Sequence, residues 1–87
     1  MGEGMSRKQA IICLQRLNFY FNVICISLKD SKEKIVEIRK FKNTDGTELY
    51  EKRHFVRQKT YIHDYESMIR WLELVSLRVA KVTYVKV

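Results

Sequence analysis

Apolar positions follow a helical spacing in two stretches of this chain and a strand spacing between them. Ala10, Ile11, Cys13, Leu14 and Leu17 form one helical face. Ser6, with Gln9 three residues later, supplies a capping box that predicts where that helix starts. From Phe19 to Leu28 the chain reads as strand: Tyr20, Ile24, Ile26 and Leu28 share one parity, and Phe19, Phe21, Val23 and Cys25 the other. A segment apolar on both faces belongs at the centre of a sheet or in a subunit interface.

Lys29-Asp30-Ser31-Lys32 is a polar turn leading to a second strand over 34–42, with Val36 and Ile38 on one face and Ile35, Glu37, Arg39 and Phe41 on the other. Asn43-Thr44-Asp45-Gly46 is a hairpin turn, because glycine accepts the positive φ required there. A third strand is expected over roughly 47–57, with Tyr50, Lys52, His54 and Val56 on one face and Leu49, Glu51, Arg53, Phe55 and Arg57 on the other. Asp64 is a suitable N-cap, and Glu66 favours the positive end of a helix dipole. That helix is expected over 64–77, with Tyr65, Met68, Ile69, Leu72, Val75 and Val79 as its apolar stripe and Trp71 off centre. The β-prone ending, from Val82 to Val87, suits a last or edge strand.

The expected architecture is α+β: a three- to four-stranded antiparallel sheet packed by the C-terminal amphipathic helix, plus a short N-terminal helix. A chain of 87 residues with no proline and no repeat is one domain, expected over 6–87 behind a flexible tail at 1–5. A domain this small has a modest core, for which dimerisation is a common remedy.

Charge adds a functional direction. The net charge is +7, and the segment 29–59 holds ten cations against six carboxylates. A basic balance raises the odds of a polyanionic or acidic partner, although solubility alone also accounts for it. Within that segment basic and ring side chains interleave: Lys34, Arg39, Lys40, Phe41, Lys42, Tyr50, Lys52, Arg53, His54, Phe55, Arg57 and Lys59. Cations for phosphates and rings for base stacking are what single-stranded DNA or RNA requires of a sheet surface. The bland alternative makes Phe41 and Phe55 a cross-strand core pair with charges solvating an outer face.

Other chemistry finds little support. Cys13 and Cys25 sit in apolar runs and form no disulfide framework, which suits a reducing, intracellular compartment. With His54 and His63 they lack zinc-finger spacing, so no metal or cofactor is expected. No glycine-rich phosphate loop, nucleophile elbow or paired carboxylates point to an enzyme. A ribonuclease would have to use His54 and His63 as acid and base, with Lys52 or Arg57 steadying a phosphate. The apolar run after Arg7-Lys8 is broken by Gln15 and Arg16, and Leu17–Leu28 is too short and polar to span a bilayer. Met1-Gly2 with Ser6 meets the minimal N-myristoylation pattern, with Glu3 as an unfavourable neighbour.

The block KIVEIRKFKNTDGTELYEKRHF followed by TYIHDYESMIRWLELV resembles the positive-cofactor-four family of single-stranded-DNA-binding coactivators. The resemblance spans about residues 20–77. It implies a curved antiparallel sheet backed by a helix, dimerised through the helices, with Lys34, Arg39, Phe41, Lys52, Arg53 and Phe55 lining the sheet face that grips single strands. The N-terminal helical segment and the β-prone tail depart from that pattern. The expected role is thus non-catalytic binding of single-stranded nucleic acid in transcription or replication, as a homodimer. The alternative is a small protein-interaction module or inhibitor that docks on an acidic or nucleoprotein partner, with Trp71, Tyr65 and Phe19–Phe21 as anchors.

Overall fold

The computed structural model describes residues 4–19, 23–31, 33–75, 77 and 80–86. The order of elements is α1 (Arg7–Phe19), β1 (Val23–Leu28), β2 (Lys34–Lys42), β3 (Glu48–His54), β4 (Lys59–His63), α2 (Tyr65–Leu74) and β5 (Ala80–Val85). The α+β class is as expected, but the sheet has five strands, all antiparallel, in the order β4-β3-β2-β1-β5.

Both helices start where their caps place them. Ser6 Oγ accepts from the Gln9 amide at 3.2 Å while Gln9 Oε1 accepts from the Ser6 amide at 3.0 Å, the reciprocal pair of a capping box. Asp64 Oδ1 accepts from the Ser67 amide at 2.8 Å. The second helix is shorter than the expected 64–77: Val75 turns extended and its amide bonds the Leu72 carbonyl at 3.2 Å. Val79 and residues 20–22 lie outside the described residues.

The turn at 43–46 takes the expected form. The Gly46 amide donates to the Asn43 carbonyl at 3.0 Å, and Gly46 adopts φ 87°. The return hydrogen bond, from the Asn43 amide to the Thr47 carbonyl at 2.8 Å, completes a type I turn with a glycine bulge. The third strand does not run to 57. It stops at His54, residues 55–58 turn, and β4 pairs back with Tyr50 opposite His63 and His54 opposite Lys59. β5 pairs with β1 along its whole length, from Val23–Val85 to Leu28–Ala80. That places the doubly apolar β1 at an interior position of the sheet, where Val23 through Ser27 are all buried.

The two helices cover the same face of the sheet. Ala10, Cys13, Leu14 and Leu17 of α1 and Met68, Ile69 and Leu72 of α2 join Ile24, Ile26, Val36, Ile38 and Tyr50 in one core. Each fully buried aliphatic side chain contributes about 1.5–3 kcal/mol. The Arg7–Glu66 pair that links the first turns of the helices is exposed, where solvent screens an ion pair and its contribution is small. Apolar burial therefore fixes the helices, and the ion pair only trims their alignment. Met5, expected in a flexible tail, is instead buried in this core. Beside it Gly4 passes so close to α2 that a Cβ there would lie 2.1 Å from the Glu73 carbonyl oxygen. Residues 1–3 lie outside the described residues. Among the described residues, no helix is long and apolar enough to cross a membrane.

Candidate nucleic-acid interface

Strand alternation splits the basic and aromatic residues between two faces. Lys40, Tyr50, Lys52 and His54 point to the helix-covered face, as the pairing of Lys40 with Tyr50 and of Lys52 with the core residue Ile38 requires. Arg39, Phe41 and Arg53 have the other parity and stand on the face that the helices leave open, and the Phe55 ring lies beside Arg53. One continuous platform made of all these residues is therefore not formed.

On the covered face the side chains serve the domain itself. Tyr50 is 3% exposed, and burial, with Glu48 nearby, raises its hydroxyl pKa to about 12. It cannot stack on a base without the core opening. Lys40 pairs with Glu48 and lies 6.0 Å from the Tyr50 ring centroid. Lys52 is only 4% exposed, with its ammonium 4.2 Å from the Trp71 ring centroid and 5.4 Å from that of Tyr61. Burial, aided by the like charge of Arg57, lowers its pKa to about 8. The His54 ring stands edge-on to Tyr61 and Trp71, at 5.3 and 6.0 Å between centroids. Trp71, expected off the centre of the stripe and a candidate partner anchor, is thus half-buried under its own helix.

Both histidines share this covered face. His63 Nδ1 meets Ser67 Oγ at 2.8 Å, while its Nε2 is buried with no hydrogen-bond partner among the described residues. Burial, then the charge of Lys52, pushes the pKa of each below the ordinary imidazole value. Both rings are accordingly neutral near pH 7.

The open face differs along its length. In its middle, Glu37 accepts from Arg39 at 3.0 Å and lies 3.7 Å from Lys34, so two of the expected phosphate-binding cations already have an internal carboxylate. Lys42 ends β2 beside the turn and opposite Glu48. Toward the β3–β4 turn the carboxylates stop. From Lys52 to His63 the sequence has no Asp or Glu, but it has Lys52, Arg53, Arg57, Lys59 and two histidines. Arg53 lies 5.5 Å from the Phe55 ring centroid. Arg53, His54, Phe55, Gln58 and Thr60 line a recess of about 450 Å³. Phe41 and Phe55 are 37% and 36% exposed, enough to offer part of a ring face.

The expected set thus resolves into groups. Arg53 and Phe55 stand together at the open-face side of the β3–β4 turn; Lys59, opposite His54, and Arg57, which lines a recess with His54 and Trp71, belong to its covered side; Arg39, Phe41 and Lys34 lie farther along β2; Lys40, Tyr50, Lys52 and His54 lie on the helix-covered face. Gln58 and Thr60 were not foreseen, although the carboxylate-free run from 52 to 63 that contains them is visible in the sequence.

No family model matches the chain, and neither the curated proteins nor the solved structures give a significant match.

Proposed function

We propose that this domain binds single-stranded nucleic acid through the β3–β4 turn and the adjoining open sheet face. The observation that carries the reading is the absence of any carboxylate between Lys52 and His63 in the sequence, with the Arg53 guanidinium 5.5 Å from the exposed Phe55 ring. In this reading the strand crosses the sheet edge at the turn: Arg53 holds a phosphate beside Phe55, on which a base stacks, and Arg57 and Lys59 hold phosphates on the other side of the turn. Phe41, farther along the face, offers a second stacking surface. Each stacked base is worth about 1–3 kcal/mol and is tolerant of sequence. Partly exposed rings favour single strands, whose bases are free to leave the stack. Tyr50, Lys52 and His54 act from below, as the support that fixes β3 and β4.

Fluorescence anisotropy with labelled single-stranded DNA, single-stranded RNA and duplex DNA tests the proposal. Single strands bind more tightly than duplex, and Phe55→Ala weakens single-strand affinity about fivefold or more. Equal affinity for all three, unchanged in Phe55→Ala, would contradict it.

A second reading rests on the apolar residues of the same face. Ile62, Phe41 and Val85 are 55%, 37% and 37% exposed, which suits a protein partner laid across the open sheet. Such a partner would be lost in Ile62→Asp, while nucleic acid binding at the turn would persist.

A further inference from the structure

The helix-covered face contains an opening that shares only Arg57 with the proposed nucleic-acid surface. A cavity of about 370 Å³ lies where β1, β2 and the start of β5 meet the C-terminal end of α2. Its inner wall is apolar: Ile26, Val36, Val75 and Ala80 are all buried. Trp71 forms another part of the lining. Among the described residues, the polar lining comes from His54 and Arg57, and no carboxylate lines it.

This combination restricts the occupant. The recess is open at the exposed Val56, and water against its apolar inner wall finds few polar partners. A sugar or nucleobase would leave several polar groups without partners against aliphatic walls. A cation would meet Arg57, and a neutral hydrocarbon would leave the guanidinium unused. A molecule with an apolar body and one anionic head satisfies both parts of the lining. The guanidinium fork matches a carboxylate in two-point geometry, which an ammonium would not. His54, uncharged near neutrality and braced against Trp71, can supply one hydrogen bond without adding a second charge. The volume falls at the small end of the range for ligand sites, about 300–1,000 Å³.

We infer that this cavity binds a small amphipathic carboxylate, with its head at Arg57 and its aliphatic body against Ile26, Val36, Val75 and Ala80. Arg57 also belongs to the proposed polyanion surface, but binding of a carboxylate can be read with no nucleic acid present. Either reading can therefore fail alone.

Trp71 is the only tryptophan in the chain, so its fluorescence reports directly on the cavity. The full chain is titrated with octanoate, with octanol as the same body lacking charge, and with acetate as the head alone, all below micelle-forming concentrations. Octanoate gives a saturable change, octanol binds about tenfold or more weakly, and acetate gives none, as a charge-assisted hydrogen bond requires. Arg57→Gln, at an exposed position, reduces octanoate to the affinity of octanol. Ala80→Met fills the cavity and weakens both, with circular dichroism confirming that the fold persists. If Ala80→Met unfolds the domain, the Arg57→Gln comparison alone decides. An absent or non-saturable octanoate response, equal affinity for octanoate and octanol in the parent chain, or an Arg57→Gln chain that keeps the preference would overturn the inference.

Discussion

The ammonium of Lys52 lies 4.2 Å from the centroid of the Trp71 ring, in a position that is 4% exposed. Lys52 sits on the inner face of β3, opposite Ile38, where strand alternation would place an aliphatic side chain. The indole face compensates part of the lost hydration, at about 0.5–2 kcal/mol for a cation over an aromatic ring. The remainder of the cost appears as a lysine pKa lowered to about 8.

That shift has a definite sign in stability. The folded protein releases the Lys52 proton near pH 8, whereas the unfolded chain keeps it to about 10.4. Between those values the unfolded state holds more protons, so stability rises with pH through this window. The ceiling on the gain is on the order of 3 kcal/mol, since each pKa unit corresponds to about 1.36 kcal/mol. Tyr50 and Tyr84 act in the opposite direction above pH 10, because burial raises both to about 12. Urea midpoints should therefore climb from pH 8 to pH 10 and fall beyond it. Lys52→Met should remove the climb and raise stability at pH 7. A flat profile in the parent chain would show that Lys52 is hydrated.

Gln58 adopts φ 54°, the left-handed region that side chains with a Cβ enter at a cost. Gln58→Gly is expected to raise stability by about 0.5–1 kcal/mol, the net of relieved strain and the greater freedom of glycine in the unfolded chain. Thermal unfolding at neutral pH checks this, and a lowered Tm would mean that the Gln58 side chain holds the turn.

The two helix caps make separable contributions. Asp64→Ala removes the acceptor for the Ser67 amide and Ser6→Ala that for the Gln9 amide, each at about 1 kcal/mol. The caps belong to different helices, so the double variant should lose close to the sum. Chemical denaturation of the single and double variants measures it.

Much of this fold was legible because its local signals agree. The capping residues and the Asp45-Gly46 turn each mark an element by a mechanism that tertiary structure did not override, while the apolar run read as strand from Phe19 is strand only from Val23, Phe19 ending α1. The fourth strand was missed for a physical reason. Its turn, Phe55-Val56-Arg57-Gln58, has no glycine, proline, Asn or Asp, and a glutamine takes the positive φ instead. The end of α2 was overestimated because Val75 continues the apolar stripe although its backbone is extended, so periodicity outlasts the helix. At the candidate site the parity of each strand was legible. Lys52 and Tyr50 share residue type with Arg53 and Phe55 but not their facing, so composition alone groups side chains that the pleat separates. A lysine on a covered face has no signature in sequence until the helix that covers it is known.

The central claim is that the cations of the β3–β4 turn hold a polyanion. Its most direct test is the salt dependence of single-stranded DNA binding, for the parent chain and for a variant carrying Arg53→Gln, Arg57→Gln and Lys59→Gln. Three phosphate contacts predict a slope of log affinity against log salt near −2, from about −0.7 per contact on a single strand. The variant should bind weakly with a slope near zero and an unchanged circular dichroism spectrum. Equal slopes in the two proteins, or no binding by the parent chain at low salt, would contradict the account.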